Sequence, residues 1–151
     1  MARRLTQWLL PAALLAALAS VHAKQVFSST QSLAFGRFVA GTGGTITVAP
    51  NGARSQTGGV TLLTSTVTAA SFTNSDNSRK AVLITLPADG SVVLSSGANQ
   101  MTLKSFTSSP SGTGLMVNDS LTILVGATLT VAPNQPKGNY SGSIPVTIQY
   151  Q

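Results

Sequence analysis

Residues 138–151 read Gly138-Asn139-Tyr140-Ser141-Gly142-Ser143-Ile144-Pro145-Val146-Thr147-Ile148-Gln149-Tyr150-Gln151. Side chains along a strand alternate between its faces. Tyr140, Ile144, Val146, Ile148 and Tyr150 therefore share one face, and Ser143, Pro145, Thr147, Gln149 and Gln151 share the other. The alternation predicts a half-buried strand over 140–150. Pro145 has no N–H to give to a ladder, which suits a sheet edge. Two readings stay open for that edge. It is either blunted by Pro145 in a closed sandwich, or it is a docking site for a strand from another chain.

Working upstream, no segment after residue 24 keeps a helical period. Short β-branched or alternating runs are separated by Gly, Pro, Asn and Ser clusters, the pattern of an all-β sandwich. It predicts strands at 32–39, 45–48, 60–68, 70–73, 81–86, 91–94, 101–107, 121–131 and 140–150, with Gly126 bending or bulging the penultimate one. The breakers Pro50-Asn51-Gly52, Asn74-Ser75-Asp76-Asn77, Pro87-Ala88-Asp89-Gly90, Ser109-Pro110-Ser111-Gly112 and Pro133-Asn134-Gln135-Pro136 carry turn chemistry. Thr45-Ile46-Thr47-Val48-Ala49-Pro50-Asn51 is echoed by Thr128-Leu129-Thr130-Val131-Ala132-Pro133-Asn134. We read the echo as two strands that each run into a Pro turn, rather than as a duplication.

The first 23 residues differ from the rest. Arg3 and Arg4 precede an apolar run over 8–19, and Val21-His22-Ala23 has the small-x-small form of a cleavage site. That is the layout of a signal peptide for export by Sec, with the periplasm and then the cell surface or exterior as the destination. Ala17-Leu18-Ala19 offers a second cleavage point. Twelve apolar residues are too few to span a bilayer core, which needs about 20, so no stable membrane insertion is expected after cleavage. The expected organisation is a signal peptide at 1–23, a short extension at 24–32, and one β-sandwich domain at 33–151.

Composition removes most chemistry. The chain has no Cys, and residues 24–151 contain no His, Trp or Glu. The usual zinc and copper sites, disulfides, and Ser-His-Asp or Cys-His centres cannot be built from that set. Seven bases against Asp76, Asp89 and Asp119 leave +4 after residue 23. The bases are dispersed and aromatics are few, so no nucleic-acid surface is expected. Asp119 with Asn118, and Asp76 with Asn74 and Asn77, read as Asx turns rather than calcium sites, which need six to eight oxygens. Gly41-Thr42-Gly43-Gly44 precedes a strand rather than a helix and is no phosphate loop. No general base stands out to activate a hydroxyl. The sequence therefore points away from an enzyme, a metal or a cofactor.

The final segment resembles the C-terminal signature of chaperone–usher pilus subunits, with Gly138 fourteenth from the end, alternating Tyr140, Ile144, Val146 and Ile148, and penultimate Tyr150. The exported region resembles the bacterial family called domain of unknown function 4402. That likeness runs through Leu33-Ala34-Phe35-Gly36, Gly44-Thr45-Ile46-Thr47-Val48, Ala69-Ala70-Ser71-Phe72-Thr73, Val125-Gly126-Ala127-Thr128-Leu129 and Gly138-Asn139-Tyr140-Ser141-Gly142.

The resemblance implies an immunoglobulin-like antiparallel β-sandwich, related to pilin and spore-coat-protein-U domains, with an incomplete edge. It implies a structural or adhesive surface subunit that partners a periplasmic chaperone, an usher and other pilus subunits, in a homo- or hetero-polymer. Gly138, Tyr140, Ile144, Val146, Ile148 and Tyr150 would meet the incoming strand, and the carboxylate of Gln151 would anchor to basic chaperone residues. Val26 and Phe27 are the candidate donor-strand residues, but they are adjacent, so only one can enter a groove. The alternative function is a self-contained monomeric binding module, for example for surface glycans.

Overall fold

The computed structural model describes residues 28–75, 80–116 and 120–151. The expected signal peptide, Val26 and Phe27 lie outside them. The described residues form an all-β, antiparallel sandwich with a curled larger sheet. Its centre is the long strand that the sequence places at 121–131, observed as Ser120–Val131 and numbered β11 in chain order.

The larger sheet assembles around β11. Along one side of β11 run β6 (Ala70–Ser75) and then β3 (Gly44–Val48), with β1 (Ser28–Gln31) outside β6 and β4 (Arg54–Gly58) outside β3. On its other side lies β9 (Asn99–Ser109), followed by β8 (Val92–Ser96). A second sheet is ordered β10 (Thr113–Leu115), β7 (Ala81–Thr85), β12 (Thr147–Tyr150). A two-stranded piece joins β2 (Phe38–Val39) to β5 (Thr61–Leu62).

β11 changes partner at Gly126. Residues up to Val125 pair with β6, where Val125 faces Ala70, and residues from Ala127 pair with β3, where Ala127 faces Val48. The core divides at the same point. Leu121, Ile123 and Val125 join Ala70, Val82, Ile84 and Met116 in one cluster. Ala127, Leu129 and Val131 join Ile46, Val48, Val92, Met101 and Leu103 in another. A strand that bends between two packed layers is a standard way to turn a sandwich corner. The echoed segments are neighbours here, paired antiparallel with Ile46 opposite Leu129. Thr47 and Thr128 share a hydrogen bond of 2.8 Å.

The expected irregularity at Gly126 is present, but the extra residue belongs to β9. Between the pairs Gly126–Thr107 and Thr128–Lys104, one residue of β11 faces two of β9, Ser105 and Phe106. Ser105 adopts a left-handed φ of 50°, and its N–H donates to Asp89 Oδ1 at 2.7 Å. The left-handed region costs a non-glycine residue about 1–2 kcal/mol, and glycine returns about 0.5–1 as backbone entropy. Ser105→Gly is therefore expected to raise stability by about 0.5 kcal/mol. A urea melt measures this, and a loss of stability would show that the hydroxyl contributes more than the strain costs.

Several expected strands are shorter than their patterns. The run at 32–39 keeps only Phe38–Val39 and one bridge from Ala34 to Thr68. It is broken by Gly36 at φ 73°. The run at 60–68 keeps Thr61–Leu62, and 140–150 keeps Thr147–Tyr150. Strands β1, β4 and β10 were not foreseen.

The shortening of the last strand has a definite cause. The Gln151 N–H donates to Ala81 O at 2.9 Å. Antiparallel hydrogen-bonded pairs recur every second residue, so Gln149–Leu83 and Thr147–Thr85 follow in the same register. The next pair would be Pro145 with Pro87, and neither has an N–H. The ladder stops there.

Candidate functional site

The two core clusters are covered differently. The smaller sheet lies over the first, where Val82 and Ile84 of β7 meet Leu121, Ile123 and Val125. The second is covered by mostly irregular backbone. Leu33, Phe38, Ala40, Leu62, Val67, Tyr140 and Ile144 pack on it only partly buried. An open groove of about 1470 Å³ runs between residues 29–41 on one wall and 134–144 on the other. Leu94, Met101, Leu103 and Leu129 lie along its floor. Three large apolar side chains stand exposed among the described residues, and two of them, Val39 (53%) and Leu63 (37%), line this groove. An apolar cleft that leaves such side chains in water has the character of a binding surface.

The first wall is pinned from behind by Arg54. Its Nη1 donates to Phe35 O at 3.0 Å and Arg37 O at 3.3 Å, and its Nη2 donates to Leu63 O at 2.8 Å. The planar fork of guanidinium donors lets one side chain hold two carbonyls of a wall with little ladder of its own and tie it to Leu63 after β5. The walls meet at one end, where the Asn134 N–H donates to Gly41 O at 3.0 Å. Asn134 adopts φ 54° in its Pro-Asn turn, a conformation asparagine tolerates.

The second wall is the tail. Gly138 lies so close to β8 that a Cβ there would overlap the Ser96 side chain. Tyr140 Oη donates to Pro136 O at 2.8 Å and accepts from Gln135 Nε2 at 2.9 Å. Among the described residues, Ser141 makes the only backbone–backbone hydrogen bonds between Pro136 and Val146, both to Ser95 of β8. The other amides and carbonyls of this stretch have no backbone partner there, and such groups can bond an added strand.

The expected face alternation holds along the tail. Tyr140, Ile144, Val146, Ile148 and Tyr150 are half-buried, while Ser143, Pro145, Thr147, Gln149 and Gln151 are exposed. The five half-buried residues nevertheless do not share one surface. Tyr140 and Ile144, with Gly138, line the groove, whereas Val146, Ile148 and Tyr150 pack on the core cluster beneath the smaller sheet. Asn74 Nδ2 of β6 donates to Tyr150 Oη, tying the last strand to the larger sheet. Gln151 is exposed beyond them, bonded through its N–H to Ala81. Because the odd residues bond β7, the backbone groups of Ile148 and Tyr150 face the outer edge of β12, which has no partner strand among the described residues.

Residues 28–31 of the expected extension form β1 on β6. The first wall of the groove, and Arg54 behind it, were missed. Only a Gly-centred break in the 32–39 run hinted that this stretch stands away from the ladder.

Residues 26–150 match the family described as Domain of unknown function (DUF4402). No curated protein and no solved structure matches the chain.

Proposed function

The chain belongs to the DUF4402 family, and on that premise we propose that it is an exported structural or adhesive surface subunit, pilin-like in design, that accepts a partner strand in the groove between residues 29–41 and 134–144. On this reading it passes by Sec into the periplasm, is held by a chaperone and delivered through an usher, and joins other subunits at the cell surface. It is not an enzyme, and no cofactor enters. The fold is read as an immunoglobulin-like sandwich related to pilin and spore-coat-protein-U domains.

One observation carries the reading. An apolar groove, rimmed by exposed Val39 and Leu63, lies beside a tail segment whose backbone has few backbone partners among the described residues. Strand addition uses both features, main-chain hydrogen bonds for affinity and pockets for alternate side chains for register. The acceptor role rests on the groove. The donor role assigned to Val26 and Phe27 rests on sequence alone, since β1 is already committed to β6.

The test is thermal melting of the purified protein with peptides of alternating apolar residues. A peptide at about a hundredfold excess over its Kd stabilises by about 2.7 kcal/mol, a rise of roughly 10 °C. A melt indifferent to every such peptide sinks the proposal and directs attention to the self-contained glycan-binding module.

A further inference from the structure

The groove is electrically one-sided. Its closed end is the Asn134–Gly41 hydrogen bond. Arg37 lies four residues from Gly41 on one wall, and Lys137 lies three residues from Asn134 on the other. At about 3.3 Å per extended residue, both cations stand within roughly 13 Å of the clasp along their walls. Both are exposed. Among the described residues, no acidic residue lines the groove. Asp89 bonds the Ser105 N–H, and Asp76 and Asp119 lie outside the described residues. Arg54, the nearby third cation, is engaged with three carbonyls.

Resting on the strand-acceptor reading above, we infer that the groove takes an acidic-ended strand from a different protein, apolar at alternate positions, with carboxylates at the end that lies against Arg37 and Lys137. The apolar floor sets what the middle of that strand must be. The two cations set its end, because carboxylates there gain attraction from both walls without displacing an ion pair among the described residues. A second copy of this chain does not fit that description. After the expected cleavage, residues 24–27 precede its β1; they contain no Asp or Glu and carry Lys24 and the new α-amino group, so its N-terminal segment would bring like charge to the groove. Like-charge juxtaposition excludes wrong partners more effectively than apolar contact does. The surface thus selects against self-addition.

The experiment is fluorescence binding of the purified protein to C-terminally amidated octapeptides that share a Ser-Val-Thr-Ile-Thr-Val body. They end in Asp-Asp, Asn-Asn or Lys-Lys, and a fourth peptide copies residues 20–32. The acidic peptide is expected to bind about tenfold tighter than the Lys-ended one at low salt, two exposed charge pairs being worth about that much. The preference should shrink as salt is added. Arg37→Glu with Lys137→Glu should reverse the order without moving the melting temperature, both side chains being exposed. Equal affinity for acidic and basic ends, or tighter binding of the 20–32 peptide, overturns the inference and leaves the acceptor reading standing. Failure of every peptide to bind overturns both.

Discussion

Gly126→Ala is expected to cost at least about 4 kcal/mol and to abolish a cooperative melt near physiological temperature. A Cβ at this position would overlap the Val48 carbonyl oxygen and press on Ala49 and Pro50. Those atoms are backbone at the end of β3, so no side-chain rotation relieves the clash. The same point is where β11 passes from β6 to β3, and both core clusters depend on that transfer. Moving β11 outward would loosen Ile123 and Val125 in one cluster together with Ala127 and Leu129 in the other. Ala127→Gly is the comparison. It removes one buried methyl and adds backbone entropy, about 1–2 kcal/mol together, without a clash. Urea melts of the two variants decide the matter. If Gly126→Ala costs no more than Ala127→Gly, the close approach of β3 and β11 is not a structural requirement.

The sequence pointed to Gly126 because a glycine inside an otherwise continuous apolar strand marks a bend or a close approach. It did not reveal which strand carries the extra residue, because that depends on the register with β9. The turns were legible where Pro, Asn and Gly cluster. Asn134 and Gly90 adopt positive φ in the stretches read as breakers, and Asn51 Oδ1 accepts the Ala53 N–H at 3.0 Å.

Polar edge strands were not legible. Ser28-Ser29-Thr30-Gln31 and Arg54-Ser55-Gln56-Thr57-Gly58 offer no apolar alternation, since an edge strand with little buried surface needs none. The tail was half legible. Its faces could be assigned from period two alone, but the meeting of Pro145 with Pro87 requires knowing which strand lies alongside. The groove was the least visible feature. Its walls come from segments 93 or more residues apart in sequence, and each reads locally as an ordinary strand. The resemblance implied an incomplete edge at the last strand, and of the residues expected to meet an incoming strand, Gly138, Tyr140 and Ile144 line the groove.

Ile148→Asp is expected to cost about 3 kcal/mol or more, whereas Gln149→Asp should stay within about 0.5. The residues are adjacent on β12, and the loss of isoleucine's strand propensity accounts for at most about 1 kcal/mol of the difference. Ile148 packs on the cluster that holds Val82, Ile84, Leu121 and Ile123. Aspartate there loses about 2 kcal/mol of apolar burial and brings a carboxylate against an apolar surface with no cation among the cluster's residues. Gln149 is exposed on the opposite face, where a carboxylate remains hydrated. Loss of Ile148 would release more than one strand, because β12 forms one side of β7 and Tyr150 is bonded across to Asn74. The measurement is a pair of denaturant midpoints. Equal shifts at 148 and 149 would refute the alternation on which the reading of the whole tail rests.

The position of β11 in the chain also sets a clock. It begins at Ser120, and β3, β6 and β9 each pair with it directly, while β1, β4 and β8 are attached through those three. Before residue 120 is available, the pairs that can form in the larger sheet are β1 with β6, β3 with β4, and β8 with β9. Isolated two-stranded pairs are marginal in water. Ile46, Val48, Met101 and Leu103, which end up almost inaccessible, have no core to enter until β11 arrives. In a chain threaded N-terminus first, the 74 residues from Ile46 to Ser120 must follow before that happens. Closure then joins strands far apart in sequence, the slow kind of contact. The chain's most vulnerable period is therefore written into the order of its strands, and anything that keeps it soluble must outlast that interval.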